Sequence, residues 1–114
     1  MKMGNRYSSL ENYLRYRYHD AVYRKKGVIL EFSELLEILE RQGRKCAITG
    51  KEFTYSGGGE PTNVSIDRID CNRPYEKGNV RLICAVVNTM RSRMTDDQFA
   101  NWCVDIAKGL GRWK

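Results

Sequence analysis

The chain has 114 residues and a formal net charge of +6, from 20 Lys and Arg against 14 Asp and Glu. A hydrophobic share of 41% with 30% charged residues is a globular composition and argues against disorder. No apolar run approaches the roughly 18 residues of a spanning helix, and the opening MKMGNRYSSLENY has no apolar stretch of the signal-peptide kind. A single cytoplasmic domain over 1–114 is the expectation, with neither membrane nor secretory character.

The first periodic segment runs from about 9 to 26. Leu10, Tyr13, Leu14, Tyr18, Ala21 and Val22 recur at helical spacing, Ser8 or Ser9 can cap the start, and Gly27 is placed to end it. Arg15, Arg17, Arg24, Lys25 and Lys26 interleave with tyrosines on this helix, so it can meet phosphates or simply present a solvated face. Val28 to Phe32 reads as extended. Ser33 then looks like an N-cap, Leu35, Leu36, Ile38 and Leu39 form an apolar face, and Gly43 closes a second helix. Residues 46–50 read as a turn, and 56–61, with three consecutive glycines, as a loop.

Val64 to Asp67 alternates and reads as a strand, 70–79 is turn-rich, and Val80 to Ile83 reads as a second strand. A short helix is expected over 86–93. Thr95-Asp96-Asp97-Gln98 matches a capping box and opens a last helix over about 96–108. Its apolar residues Phe99, Trp102, Cys103, Ile106, Ala107 and Leu110 form the cleanest amphipathic stripe in the chain.

Charge is unevenly placed. Residues 1–27 carry seven Lys and Arg against Glu11 and Asp20, and residues 80–114 carry six against three Asp. Between them 28–43 holds four Glu against Arg41. Two basic regions around an acidic helix point to a polyanionic partner, with nucleic acid first. The cysteines Cys46, Cys71, Cys84 and Cys103 include no C-x-x-C pair, so neither structural zinc nor a disulfide framework is expected.

Four polar residues stand out in the strand–loop–strand–helix stretch: Asp67, Asp70, Asn79 and Asn88. Such a unit can bring a strand-end Asp beside a helix Asn. One carboxylate and one amide oxygen suffice for Mg²⁺, which keeps several of its waters. The same residue types are also ordinary turn formers.

The wording of the segment goes further. Ser65-Ile66-Asp67-Arg68-Ile69-Asp70, then Gly78-Asn79-Val80-Arg81-Leu82-Ile83, then Val87-Asn88-Thr89-Met90-Arg91 resembles the HNH endonucleases, the His-Me-finger or ββα-metal nucleases, in their small phage-type branch. The likeness extends upstream through Lys25-Lys26-Gly27 and 41–50, and downstream to Thr95–Phe99, covering roughly Leu10 to Trp102. It implies an α+β fold with a ββα-metal core at about 64–93. It also implies a phage-encoded, Mg²⁺- or Mn²⁺-dependent endonuclease that nicks DNA or cuts both strands. On that reading Asp67 and Asn88 bind the ion, Asn79 braces the loop, and Arg15, Arg17, Arg24, Lys25, Arg91 and Arg93 contact DNA.

One position departs from the family pattern. Arg68 stands where the family places its general-base His, and Arg stays protonated at neutral pH. Loss of a general base costs about 10²–10⁴ in rate. Three readings remain open: Asp70 or His19 supplies the base, the metal alone activates water, or catalysis is lost and a DNA-binding or protein-binding module remains. Arg68 itself is either a phosphate clamp or a structural partner of Asp67 or Asp70.

Overall fold

The computed structural model describes residues 8–24 and 26–113. Helix α1 spans Leu10–Tyr23 and α2 spans Phe32–Arg41. Strand β1 spans Val64–Arg68 and β2 spans Val80–Cys84, followed by α3, Ala85–Arg91, and α4, Asp96–Gly109. The fold is mixed α+β, with a two-stranded antiparallel sheet whose register pairs Val64 with Cys84, Ile66 with Leu82 and Arg68 with Val80.

Local chemistry sets the element ends. Ser9 Oγ accepts from the Asn12 N–H at 3.1 Å and so caps α1. The helix stops at Tyr23, short of the Lys26 expected, and Gly27 turns the chain at φ +75°. The second helix begins two residues earlier than Ser33 would place it. Its cap is Glu31, whose N–H donates to Glu34 Oε1 at 2.8 Å, so Phe32 enters the first turn instead of a strand. What remains extended is short: Val28 bridges Tyr75, and the Ile29 N–H donates to the Tyr75 carbonyl at 2.7 Å.

The core lies between α1, α2 and the sheet. Leu14, Leu35, Leu39, Leu82 and Ile83 are fully buried, joined by Leu10, Leu30, Phe53, Val64 and Val87. Consecutive Leu82, Ile83 and Cys84 are all buried, so β2 is covered on both faces. Asn63 is a buried polar tie: its Oδ1 accepts from Thr54 Oγ1 at 2.7 Å and the Ser56 N–H at 2.9 Å. Its Nδ2 donates to the Ser56 carbonyl at 2.8 Å, which anchors the glycine loop to the start of β1.

Helix α3 follows β2 with no intervening loop and packs on both strands. It ends at Arg91, before the expected Arg93, and Ser92 takes a left-handed conformation at φ 53°. The capping box of α4 forms as its sequence predicts, with Thr95 Oγ1 accepting from the Gln98 N–H at 3.1 Å and Gln98 Oε1 accepting from the Thr95 N–H at 3.0 Å. The rest of α4 does not wrap the core. None of its residues is buried, and Trp102, Ile106 and Leu110 are exposed. Its first turn is attached through Asp96 and the partly buried Phe99, and Cys103, Val104 and Ala107 further along are half-buried. Among the described residues no helix is long and apolar enough to cross a membrane.

Leu82→Ala should lower the unfolding free energy by about 2–5 kcal/mol in urea titration, because the side chain fills the centre of a closed core. A loss below about 1 kcal/mol would contradict this packing.

Candidate functional site

The loop between β1 and β2 is held by one side chain. Asn79 is buried, and its Oδ1 accepts from the Asp70 N–H at 2.8 Å. Its Nδ2 donates to the carbonyls of Asp70 at 3.0 Å and Pro74 at 2.9 Å. An amide supplies donor and acceptor together, and no carboxylate could do the same. Asp70 faces its own loop: its Oδ1 accepts from the Asn72 N–H at 2.9 Å. Tyr75 ties the loop to the segment after α1 through its N–H to the Gly27 carbonyl at 2.9 Å.

Next to this loop lies a closed ionic quartet. Asp67 is 3% exposed, and both its oxygens accept from arginines: Oδ2 from Arg81 Nε and Oδ1 from Arg91 Nη1, each at 2.8 Å. Arg81 also grips Asp96 with two parallel bonds of 2.8 and 2.7 Å. Arg91 Nε donates to Asp96 Oδ1 at 3.1 Å, and its remaining nitrogens reach the carbonyls of Arg68 at 3.2 Å and Ile69 at 2.6 Å. Two cations meet two anions, so the cluster is electrically neutral, with Asp96 as its solvent-exposed member. The hydrogen bonds from Arg81 outweigh burial and hold the Asp96 carboxyl below its ordinary range. The same bonds, against the cost of burial, push the Arg81 guanidinium further up.

Asp67, Arg68 and Asn88 line one small cleft of about 70 Å³, together with Tyr75 and Arg91. A second cleft of similar volume adjoins it, sharing Tyr75 and Asn88 and adding Arg17, Asp20 and Lys26. Asn88 Nδ2 donates to Ser65 Oγ at 2.7 Å, which leaves its Oδ1 without a donor among the described residues. Arg68 pairs with neither Asp67 nor Asp70. Its guanidinium sits 5.1 Å from the Tyr75 ring centroid and donates weakly to the Arg73 carbonyl at 3.4 Å, with no carboxylate partner among the described residues.

The other expected DNA contacts are dispersed. Arg91 is only 2% exposed, and its guanidinium is engaged within the protein, so its place is structural and it offers no face to a phosphate. Arg93 is exposed beyond the end of α3. Arg15 lies over the Phe32 ring at 4.4 Å, and Arg24 pairs with Asp20 at 3.3 Å. Lys25 lies outside the described residues. His19 packs edge-on against Tyr18 and does not line either cleft. Arg81, Asp96 and Asp20 are the members that sequence reading missed. For Arg81 a signal existed: antiparallel register sets it directly opposite Asp67.

Oxygen donors of this kind fit a weakly held Mg²⁺. Each Asp67 oxygen accepts one arginine bond and keeps a lone pair, and Asn88 Oδ1 is open. No group of three His, Cys, Asp or Glu side chains that could hold a metal forms among the described residues. That search does not bear on a pair made of one carboxylate and one amide.

No family model matches the chain, and no solved structure matches it. A protein of Dictyostelium discoideum, described as a homolog of aldehyde dehydrogenase family 7 member A1, is 33% identical over 87 residues. The match covers 75% of this chain but only 16% of that protein, so the chain spans about a sixth of its length.

Arg91→Ala should cost about 3–5 kcal/mol in denaturant unfolding, since it leaves the Asp67 charge buried with half its compensation. Arg93→Ala should stay within about 0.5 kcal/mol of the parent. Acid should also expose the quartet. Because the folded-state pKa of Asp96 is depressed, its contribution is present above the unfolded value and is lost as pH falls through the folded one. Melting temperature should therefore drop on acidification below about pH 4, and Asp96→Asn should flatten that drop while lowering stability at neutral pH.

Proposed function

We propose that the chain is a divalent-metal-dependent DNA endonuclease of the ββα-metal, HNH-like kind. The observation that carries the reading is the gathering of Asp67 and Asn88, 21 residues apart in sequence, on one cleft formed by β1, the loop after it and α3. Asp67 and Asn88 would hold Mg²⁺ or Mn²⁺, which when bound stabilises charge on a scissile phosphate and its leaving oxygen. Arg68 acts as a cationic clamp on that phosphate, since no carboxylate among the described residues neutralises it. Asn79 fixes the loop that carries Arg68 to Tyr75 across the cleft. Arg17 and Lys26, on the adjoining cleft, extend the positive surface along a strand of nucleic acid. Asp20 lines the adjoining cleft with Asn88 and joins Asp70 and His19 as a candidate base, while Asp70 Oδ1 accepts from its own loop at Asn72.

A second reading is a DNA-binding module without catalysis. It is favoured by the double arginine clamp on Asp67 and by the cation at position 68. The aldehyde dehydrogenase name carries no weight for this segment. The chain spans only about a sixth of that protein's length.

Supercoiled plasmid incubated with Mg²⁺ or Mn²⁺ should yield open circles, and EDTA should stop it. Asn88→Ala should slow nicking by about 10-fold to 100-fold or more, and Asp20→Asn should slow it by about 10²-fold if it is the base. Asp67 is the less informative position to change, because any neutral replacement leaves Arg81 and Arg91 with Asp96 alone. Binding should weaken with salt, and Arg17→Ala should reduce the slope by about one. Salt-sensitive binding with no nicking under either metal establishes the second reading, and absence of both activities sinks the two together.

A further inference from the structure

Helix α4 carries an apolar stripe that the described residues leave uncovered. Trp102, Ile106 and Leu110 follow at i, i+4 and i+8, with exposures of 59%, 52% and 72%, and Trp113, just past the helix end, is 54% exposed. Residues four apart share one helix face. The helix has 14 residues, which makes it about 21 Å long. The first turn meets the body through Asp96 and Phe99, and Cys103, Val104 and Ala107 are half-buried, while the face carrying Trp102, Ile106 and Leu110 is left to water.

We propose that α4 is the contact surface of a homodimer in which two copies pair their α4 helices antiparallel. Area supports a second copy as the occupant. Taking a fully exposed tryptophan at about 250 Å², the four side chains present roughly 500 Å² per chain. Complete burial in two copies removes up to roughly 1,000 Å² from water, about the lower limit for a biological interface. Antiparallel pairing about Ile106 sets Trp102 of one copy against Leu110 of the other and opposes the two macrodipoles. A twofold contact of this kind uses the same patch on both chains and closes at two. The proposal is independent of the nuclease reading.

Both tryptophans of the chain, Trp102 and Trp113, lie in this segment, so their emission reports on it directly. Nucleic-acid-free protein at high salt should be followed by sedimentation equilibrium and tryptophan emission from about 100 μM to below about 1 μM. A dimer mass at the top, giving way to monomer with a red shift in emission over the same range, supports the proposal. Ile106→Glu with Leu110→Glu should weaken association at least about 100-fold while leaving the circular dichroism of dilute protein unchanged, since both positions are exposed in one copy. Leu110→Glu alone should act in the same direction, and Ile106→Leu should keep the dimer. Monomer at every concentration, assembly that grows past two, or a dimer indifferent to the glutamate substitutions would overturn it.

Discussion

The structure turns on one electrostatic constraint: a carboxylate at the centre of a small sheet that cannot face water. Asp67 is buried on a strand between the half-buried Ile66 and Arg68, and its charge is tolerable there only with close cationic company. Arg81 arrives from the paired strand and Arg91 from the helix that follows it. Asp96 then neutralises the surplus and draws the start of α4 against the sheet. Three separate elements are thereby fastened to one side chain. Breaking any member leaves a buried charge unbalanced, which costs more than the pairing itself contributes.

The quartet also shapes the neighbouring chemistry. It consumes the cation at position 91 and leaves the one at 68 facing the cleft. It fixes the Asp67 oxygens in space while keeping one lone pair on each. On the nuclease reading, the surrounding arginines make the cleft hospitable to a phosphate before any ion enters. An ion held by so few protein oxygens depends on that phosphate for the rest of its coordination.

Much of this organisation was legible in the residues. The alternation of 64–67, the turn-rich stretch to Asn79 and the apolar run from Val80 marked a hairpin-like pair, because strand patterning and turn chemistry are local signals. Thr95 with Gln98 marked the start of α4 for the same reason. The cap of α2 was misplaced because Glu31 satisfies the helix end as well as Ser33 would, and sequence alone does not rank the two. Arg91 reads as a phosphate contact because it follows Asn88 on the same short helix, and only tertiary packing turns it inward. The stripe on α4 was plain, but amphipathicity says that a face is apolar without saying what lies over it. Asp20 escaped notice because α1 and α3 meet only in three dimensions.

The absence of any connecting residue between β2 and α3 has its own consequence. Cys84 ends the strand and serves as the cap of the helix that starts at Ala85, so the two elements share one rigid joint. A helix advances about 100° per residue, and a strand alternates sides with each. One residue inserted at that joint would swing Asn88 about a quarter of a turn away from Asp67, and one removed would swing it as far the other way. The angular phase of the cleft is thus set by chain length at a single point. The domain can accept insertions of many sizes in its glycine loop at 57–59, but it has no tolerance for even one between residues 84 and 85.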